Sequence, residues 1–208
     1  MKRFFIVLLF CGAFVVRAAD SGKTMSLFDG KTFNGWSGDT NKTFKIMDGA
    51  IVGGTLKERI PRNEFLCTTR EYTNFVLTLN FKLVGEGANG GVQIRTKKHR
   101  MDNEVSGYQA DMGDPGWWGA LYDESRRNKV LAQSDMEKVN KVLKRNDWNE
   151  YKIRAEGKRI QLFVNGVQTV DYTENDPSIE DHGIIAVQIH AGNPSEAWYK
   201  DIKIEELN

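Results

Sequence analysis

The chain has 208 residues, enough for one domain with a sizeable core. Its 29 lysines and arginines almost cancel its 28 aspartates and glutamates, leaving a formal net charge of +1. This neutrality removes the electrostatic case for nucleic acid or an acidic membrane surface as partner, and the short basic cluster Lys97-Lys98-His99-Arg100 reads as a solvated loop.

Lys2 and Arg3 precede the apolar run Phe4–Val16, and the small residues Ala18 and Ala19 follow. That is the order of a secretory signal, and the run is too short to span a bilayer comfortably. Cleavage after Ala18 makes residues 1–18 a leader and 19–208 one exported domain, periplasmic or secreted, with no transmembrane segment in the mature protein. A lipoprotein signal at Cys11 competes, but Phe10 stands where a small residue is normally needed. Cys67 is then alone, so no internal disulfide can form. It reads as a small buried hydrophobe in the strand Phe65–Thr68.

Downstream of the leader, Leu27-Phe28-Asp29-Gly30-Lys31 and Phe33-Asn34-Gly35-Trp36 predict an aromatic edge segment closing over the core. Asp48-Gly49 predicts a hairpin between Phe44–Met47 and Ala50–Val52. Asn74–Val84 alternates cleanly, with Phe75, Leu77, Leu79, Phe81 and Leu83 on one face and Thr78, Asn80 and Lys82 on the other. The glycines of 85–91 suit positive φ angles or the close approach of a ligand. Ser134-Asp135-Met136-Glu137 has capping-box spacing. Met136, Val139, Val142 and Leu143 then recur at helical spacing, and Lys141, Lys144 and Arg145 suit the helix end. Strands resume at Tyr151–Glu156, Ile160–Val164, Val167–Tyr172, Gly183–His190 and Trp198–Leu207, with turns at Glu156-Gly157, Asn165-Gly166 and Asn193-Pro194. Many short strands and one short peripheral helix predict an all-β, two-sheet jelly-roll sandwich.

The densest chemistry lies between Gly90 and Arg127. Alternation places Gln93 beside Arg95 and Gln109 beside Asp111 on the polar faces of two strands, and a third strand repeats the pattern with Gln188 and His190. If these strands share one sheet, their polar faces form the floor of a groove walled by Trp117, Trp118 and Tyr122. Amides and charges can bond sugar hydroxyls while aromatic rings pack on apolar C–H faces. For any single residue a purely structural hydrogen bond explains its type equally well; the threefold recurrence favours a carbohydrate cleft. Opposed carboxylates for ordinary glycosidase chemistry are not evident in the pattern, although Asp111, Asp123 and Glu124 are available. The three histidines show no metal-ligand spacing.

Beyond composition and pattern, the sequence resembles the 3-keto-disaccharide hydrolase family, a concanavalin A-like fold. The resemblance runs from Leu27-Phe28-Asp29-Gly30-Lys31 with Gly35-Trp36 to the end. It takes in Asn63-Glu64-Phe65-Leu66, Tyr72-Thr73-Asn74-Phe75, Asn89-Gly90-Gly91-Val92, Gly119-Ala120-Leu121-Tyr122, Trp148-Asn149 and Tyr199-Lys200-Asp201-Ile202. Where many members carry Glu-x-Gln, this chain has Gly107-Tyr108-Gln109-Ala110-Asp111. The resemblance implies cleavage of a small carbohydrate already oxidised at C3. The ketone acidifies the C2 proton, so a base can remove it, expel the C1 substituent and leave an enone that water then hydrates. Under that expectation Glu124 or Asp111 is the base, His190 its acid/base partner, and Arg95 or Lys200 lies near the enolate oxygen. A divalent cation is the alternative to that cationic side chain. Gln93, Gln109, Gln188, Trp117, Trp118 and Tyr122 would hold the sugar. Two rivals are a non-catalytic carbohydrate-binding module and a domain that assembles with a partner enzyme.

Overall fold

A computed structural model describes residues 22–99 and 104–208; the expected leader 1–18, with Cys11, and Arg100 of the basic cluster lie outside the described residues. Among the described residues, fifteen strands form two packed antiparallel sheets, with one short helix outside them. The back sheet runs β13(Val167–Thr173), β12(Arg159–Val164), β11(Asn149–Glu156), β6(Phe75–Val84), β15(Ser195–Glu206), β4(Ala50–Thr55), β3(Phe44–Met47), with β1(Thr24–Ser26) also on β15. The front sheet runs β10(Lys129–Ala132), β9(Leu121–Glu124), β8(Val105–Gly113), β7(Asn89–Lys98), β14(Gly183–Ile189), β5(Glu64–Tyr72), β2(Trp36–Ser37). The fold is the jelly-roll sandwich expected from the strand pattern.

β6 lies at the middle of the back sheet because its period-two apolar face is the longest in the chain. Phe75, Leu77, Leu79, Phe81 and Leu83 are all buried, facing Val92, Ile94, Tyr108, Ala110, Val187 and Ile189 of the front sheet. Each such side chain removed from water contributes about 1.5–3 kcal/mol. The hairpins at Asp48-Gly49 and Asn165-Gly166 form with both residues of each pair at positive φ, the geometry that matches strand twist. Trp36 closes one edge through its indole N–H, which donates to the Leu27 carbonyl at 2.7 Å.

Three local expectations change. The helix α1 is shorter than its pattern, Met136–Asn140, and its cap is Asp135, whose carboxylate accepts from the N–H groups of Glu137 and Lys138. Ser134, the expected cap, donates to the Trp118 carbonyl at 2.7 Å instead, tying α1 to the loop after β8. Lys97 and Lys98 end a strand rather than forming a loop. Cys67 is buried as expected, and burial pushes its thiol up to about 11, which leaves it unreactive.

Candidate active site

The outer face of the front sheet carries the site. Apolar residues of β8 face the core, so Gln109 and Asp111 face outward; Tyr122 and Glu124 do so on β9, and Gln188 with His190 does so at β14. Strand pairing aligns Tyr122, Gln109 and Gln93 across β9, β8 and β7, and sets Gly91 between Asp111 and Gln188. A cleft of about 280 Å³ lies over this surface, lined by Asn89, Gln109, Asp111, Trp117, Tyr122, Glu124 and His190. Trp117 comes from the loop after β8 and meets Tyr122 edge-on, ring centroids 6.1 Å apart. The cleft thus sets an aromatic wall of Trp117 and Tyr122 against a polar floor.

Two carboxylates share it. Asp111 is 4% exposed, and burial pushes its carboxyl up to about 7 against the N–H of Met112 at 3.0 Å and the Gln109 amide at 3.2 Å, with the charge of Glu124 adding to the rise. Burial likewise pushes Glu124 up to about 7, helped by the charge of Glu104. The convergence that the sequence pattern did not display is made by pairing β8 with β9.

A chain of buried polar groups stands behind Asp111. The Thr96 hydroxyl lies 3.2 Å from the Gln93 side-chain carbonyl, the Gln93 amide donates to the Gln109 side-chain carbonyl, and the Gln109 amide donates to Asp111. Gly91 admits this chain, since a Cβ there would lie 2.6 Å from Cγ and Cδ of Gln109. The glycine serves an internal side chain rather than a positive φ or a ligand.

His190 places Nδ1 2.7 Å from the Ala191 carbonyl. A carbonyl only accepts, so Nδ1 carries the hydrogen and the neutral ring keeps its lone pair on Nε2. Gln188 is fully buried beside Glu124, close enough to favour its charged form, yet neither end of its amide completes a hydrogen bond. The side-chain oxygen of Asn89 is also buried without a partner. Sequence reasoning missed Asn89; its backbone carbonyl accepts the His190 N–H at 3.1 Å, which sets both residues at the cleft end.

Glu124 is held by its neighbours. Asp123 points the other way, is fully buried, and accepts from Arg126 at 2.8 Å and from Arg127; Arg127 also reaches Glu174 at 2.7 Å. The two arginines pin the turn after β9 that presents Glu124.

Five expected site residues do not line the cleft. Arg95 sits at a bulge where β7 shifts register against β8, with φ 48°, and its guanidinium donates to the carbonyls of Thr73 and Gly157 at the far end of the sandwich. Lys200 lies on the back sheet, its Nζ 4.1 Å from the Trp148 ring centroid. Trp118 is a core residue stacked on Phe81, its indole N–H on Asp114. Gln93 lies beside Gln109 on the neighbouring strand, fully buried, and, like the fully buried Gln188, does not line the cleft. Among the described residues, no lysine or arginine lines the cleft. Asp111, Glu124 and His190 share it, but among the described residues no three His, Cys, Asp or Glu are grouped to hold a metal ion, so no step is assigned to one.

Known proteins share this architecture. A candidate glycosyl hydrolase from Parabacteroides distasonis superposes with a TM-score of 0.68 at 18% identity, over 90% of this chain and 94% of that one. The carbohydrate-binding module CBM66 from Bacillus subtilis gives 0.64 at 15% identity, over 83% and 96%. The β-glucanase of Bacillus licheniformis gives 0.55 at 9% identity, over 90% and 99%. No curated protein matches the chain at a significant level. Residues 23–205 match the model of the 3-keto-alpha-glucoside-1,2-lyase-like domain, and the chain belongs to that family.

Proposed function

We propose that the protein cleaves the glycosidic bond of 3-keto-glycosides or 3-keto-disaccharides by elimination followed by hydration, outside the cytoplasm. The observation that carries this reading is the pair Asp111 and Glu124, both pushed up to about 7 in one aromatic-walled cleft. A carboxylate poised near the working pH is a good proton-transfer group.

Glu124 takes the C2 proton, and the electron pair passes to the C3 oxygen as an enolate. Collapse of the enolate expels the C1 oxygen, which takes a proton from the buried Asp111. Water then adds at C1, its proton accepted by His190 Nε2, and a proton returns to C2, so that the net change is hydrolysis. Among the described residues that line the cleft, the donors available to the enolate oxygen are neutral, the Tyr122 hydroxyl and the Asn89 amide. Trp117 packs on the sugar ring face.

The same fold in a carbohydrate-binding module favours one other reading, sugar binding without turnover. Incubation of the mature protein with a 3-keto-disaccharide and, separately, with its unoxidised parent separates the two. Product from the keto sugar alone is expected; saturable binding without product supports the module. Glu124→Gln should lower kcat about 10²–10⁴-fold, with Asp111→Asn and His190→Ala also impaired. Near-normal rates in all three discard the assignment.

A further inference from the structure

The chain from Thr96 to Asp111 can run in either direction. In the described arrangement every donor points toward Asp111, which suits a carboxylate: the Gln109 amide donates to it, the Gln93 amide donates to Gln109, and the Thr96 hydroxyl is 3.2 Å from the Gln93 carbonyl. Yet the Thr96 hydroxyl has a nearer acceptor, the Ile94 carbonyl at 2.9 Å. A hydroxyl has one hydrogen and can spend it there, freeing its lone pairs to accept. If both glutamine amides turn over, Gln93 donates to Thr96, Gln109 donates to Gln93, and the Gln109 carbonyl faces Asp111. That arrangement suits a protonated Asp111, whose O–H donates to it. No proton travels along the chain; only the amides rotate. Gln93 and Thr96 are fully buried, so bulk water does not reach either group.

We propose that Thr96, Gln93 and Gln109 form a reversible hydrogen-bond chain that satisfies Asp111 in both protonation states, which makes Gln93 and Thr96 positioning residues for its proton transfer. The catalytic half of this inference rests on the function proposed above. Glycine makes room for the chain at both ends: a Cβ at Gly91 would strike Gln109, and one at Gly107, φ 152°, would lie 2.7 Å from the Thr96 hydroxyl oxygen. The Asp111 carboxyl, at about 7, has both forms populated near neutrality. Other titratable groups around Asp111 are Glu124 and Tyr122 on β9, His190 past β14, Tyr151 on β11, whose hydroxyl meets the Asp111 carbonyl, and Tyr199 on β15.

Side-chain NMR of the whole mature protein tests this. From about pH 5 to about pH 9, the Gln93 amide signals, which belong to a residue not touching Asp111, should move with the Asp111 carboxyl midpoint. The co-movement should persist in Glu124→Gln and vanish in Asp111→Asn. It should be lost in Thr96→Val and retained in Thr96→Ser, which keeps the hydroxyl. In turnover, Thr96→Val should lower kcat about 2- to 10-fold with little change in KM, the size of one neutral hydrogen bond, and Thr96→Ser should restore it. A Gln93 amide that stays still while Asp111 titrates overturns the chain. Absence of wild-type turnover would instead defeat the proposed function, and the NMR result would stand either way.

Discussion

Asp111 ties the site to stability. Its carboxyl titrates at about 7 in the folded protein against an ordinary value of 3.8. Below the ordinary value folded and unfolded chains are both protonated, and the contribution is fully present. Between the two values the folded chain holds a proton that the unfolded chain has released, so stability falls as pH rises and the contribution is lost above about 7. Glu124 adds a slope of the same sign. Denaturant midpoints measured across this window should therefore decline toward neutrality in the wild type. The decline should be shallower in Asp111→Asn and shallower still when Glu124→Gln is added. The adjacent tryptophans offer a sharper contrast. Trp118 is in the core against Phe81, so Trp118→Ala should cost about 3–5 kcal/mol in chemical denaturation. Trp117 stands in the cleft wall, so Trp117→Ala should stay within about 1 kcal/mol in stability while weakening sugar binding, read by titration calorimetry. A stability loss at Trp117 equal to that at Trp118 would mean the wall is core.

At the scale of strands, β6 and the two hairpins could be read because their information is local: a period of two, and residue pairs that accept positive φ. The cleft could be read in part. Gln109 with Asp111 and Gln188 with His190 share a face because alternation survives along β8 and into the end of β14. Arg95 does not follow Gln93, because a register shift between Ile94 and Lys97 breaks the alternation within β7, and nothing in the local residue types announces it. Lys200 was lost for another reason: it stands on β15 of the opposite sheet, and no single strand records which sheet it joins. Gly91 shows how closely the front sheet is fitted. Gly91→Ala should destabilise the protein by about 1–3 kcal/mol and push Gln109 off Asp111, lowering both the denaturation midpoint and turnover. An unperturbed Gln109 in that variant would show that the floor is looser than the 2.6 Å approach indicates.

Over the whole molecule, the two sheets differ in role: the back sheet turns its apolar face into the core, and the outer face of the front sheet carries the cleft. The aromatic and basic groups of the back sheet, Trp148, Trp198, Lys82 and Lys200, pack among themselves on the opposite surface from the cleft. Among the described residues Cys67 is a free cysteine and no disulfide joins the sheets, which are held by burial and by buried hydrogen bonds such as that from the Tyr151 hydroxyl to the Asp111 carbonyl. β15 lies inside the back sheet, with β6 on one side and β4 on the other, and β1 also hydrogen-bonds to it. A nascent polypeptide that has reached only residue 194 lacks the plank between two halves of its hydrophobic interior, so it stays open through nearly all of its synthesis.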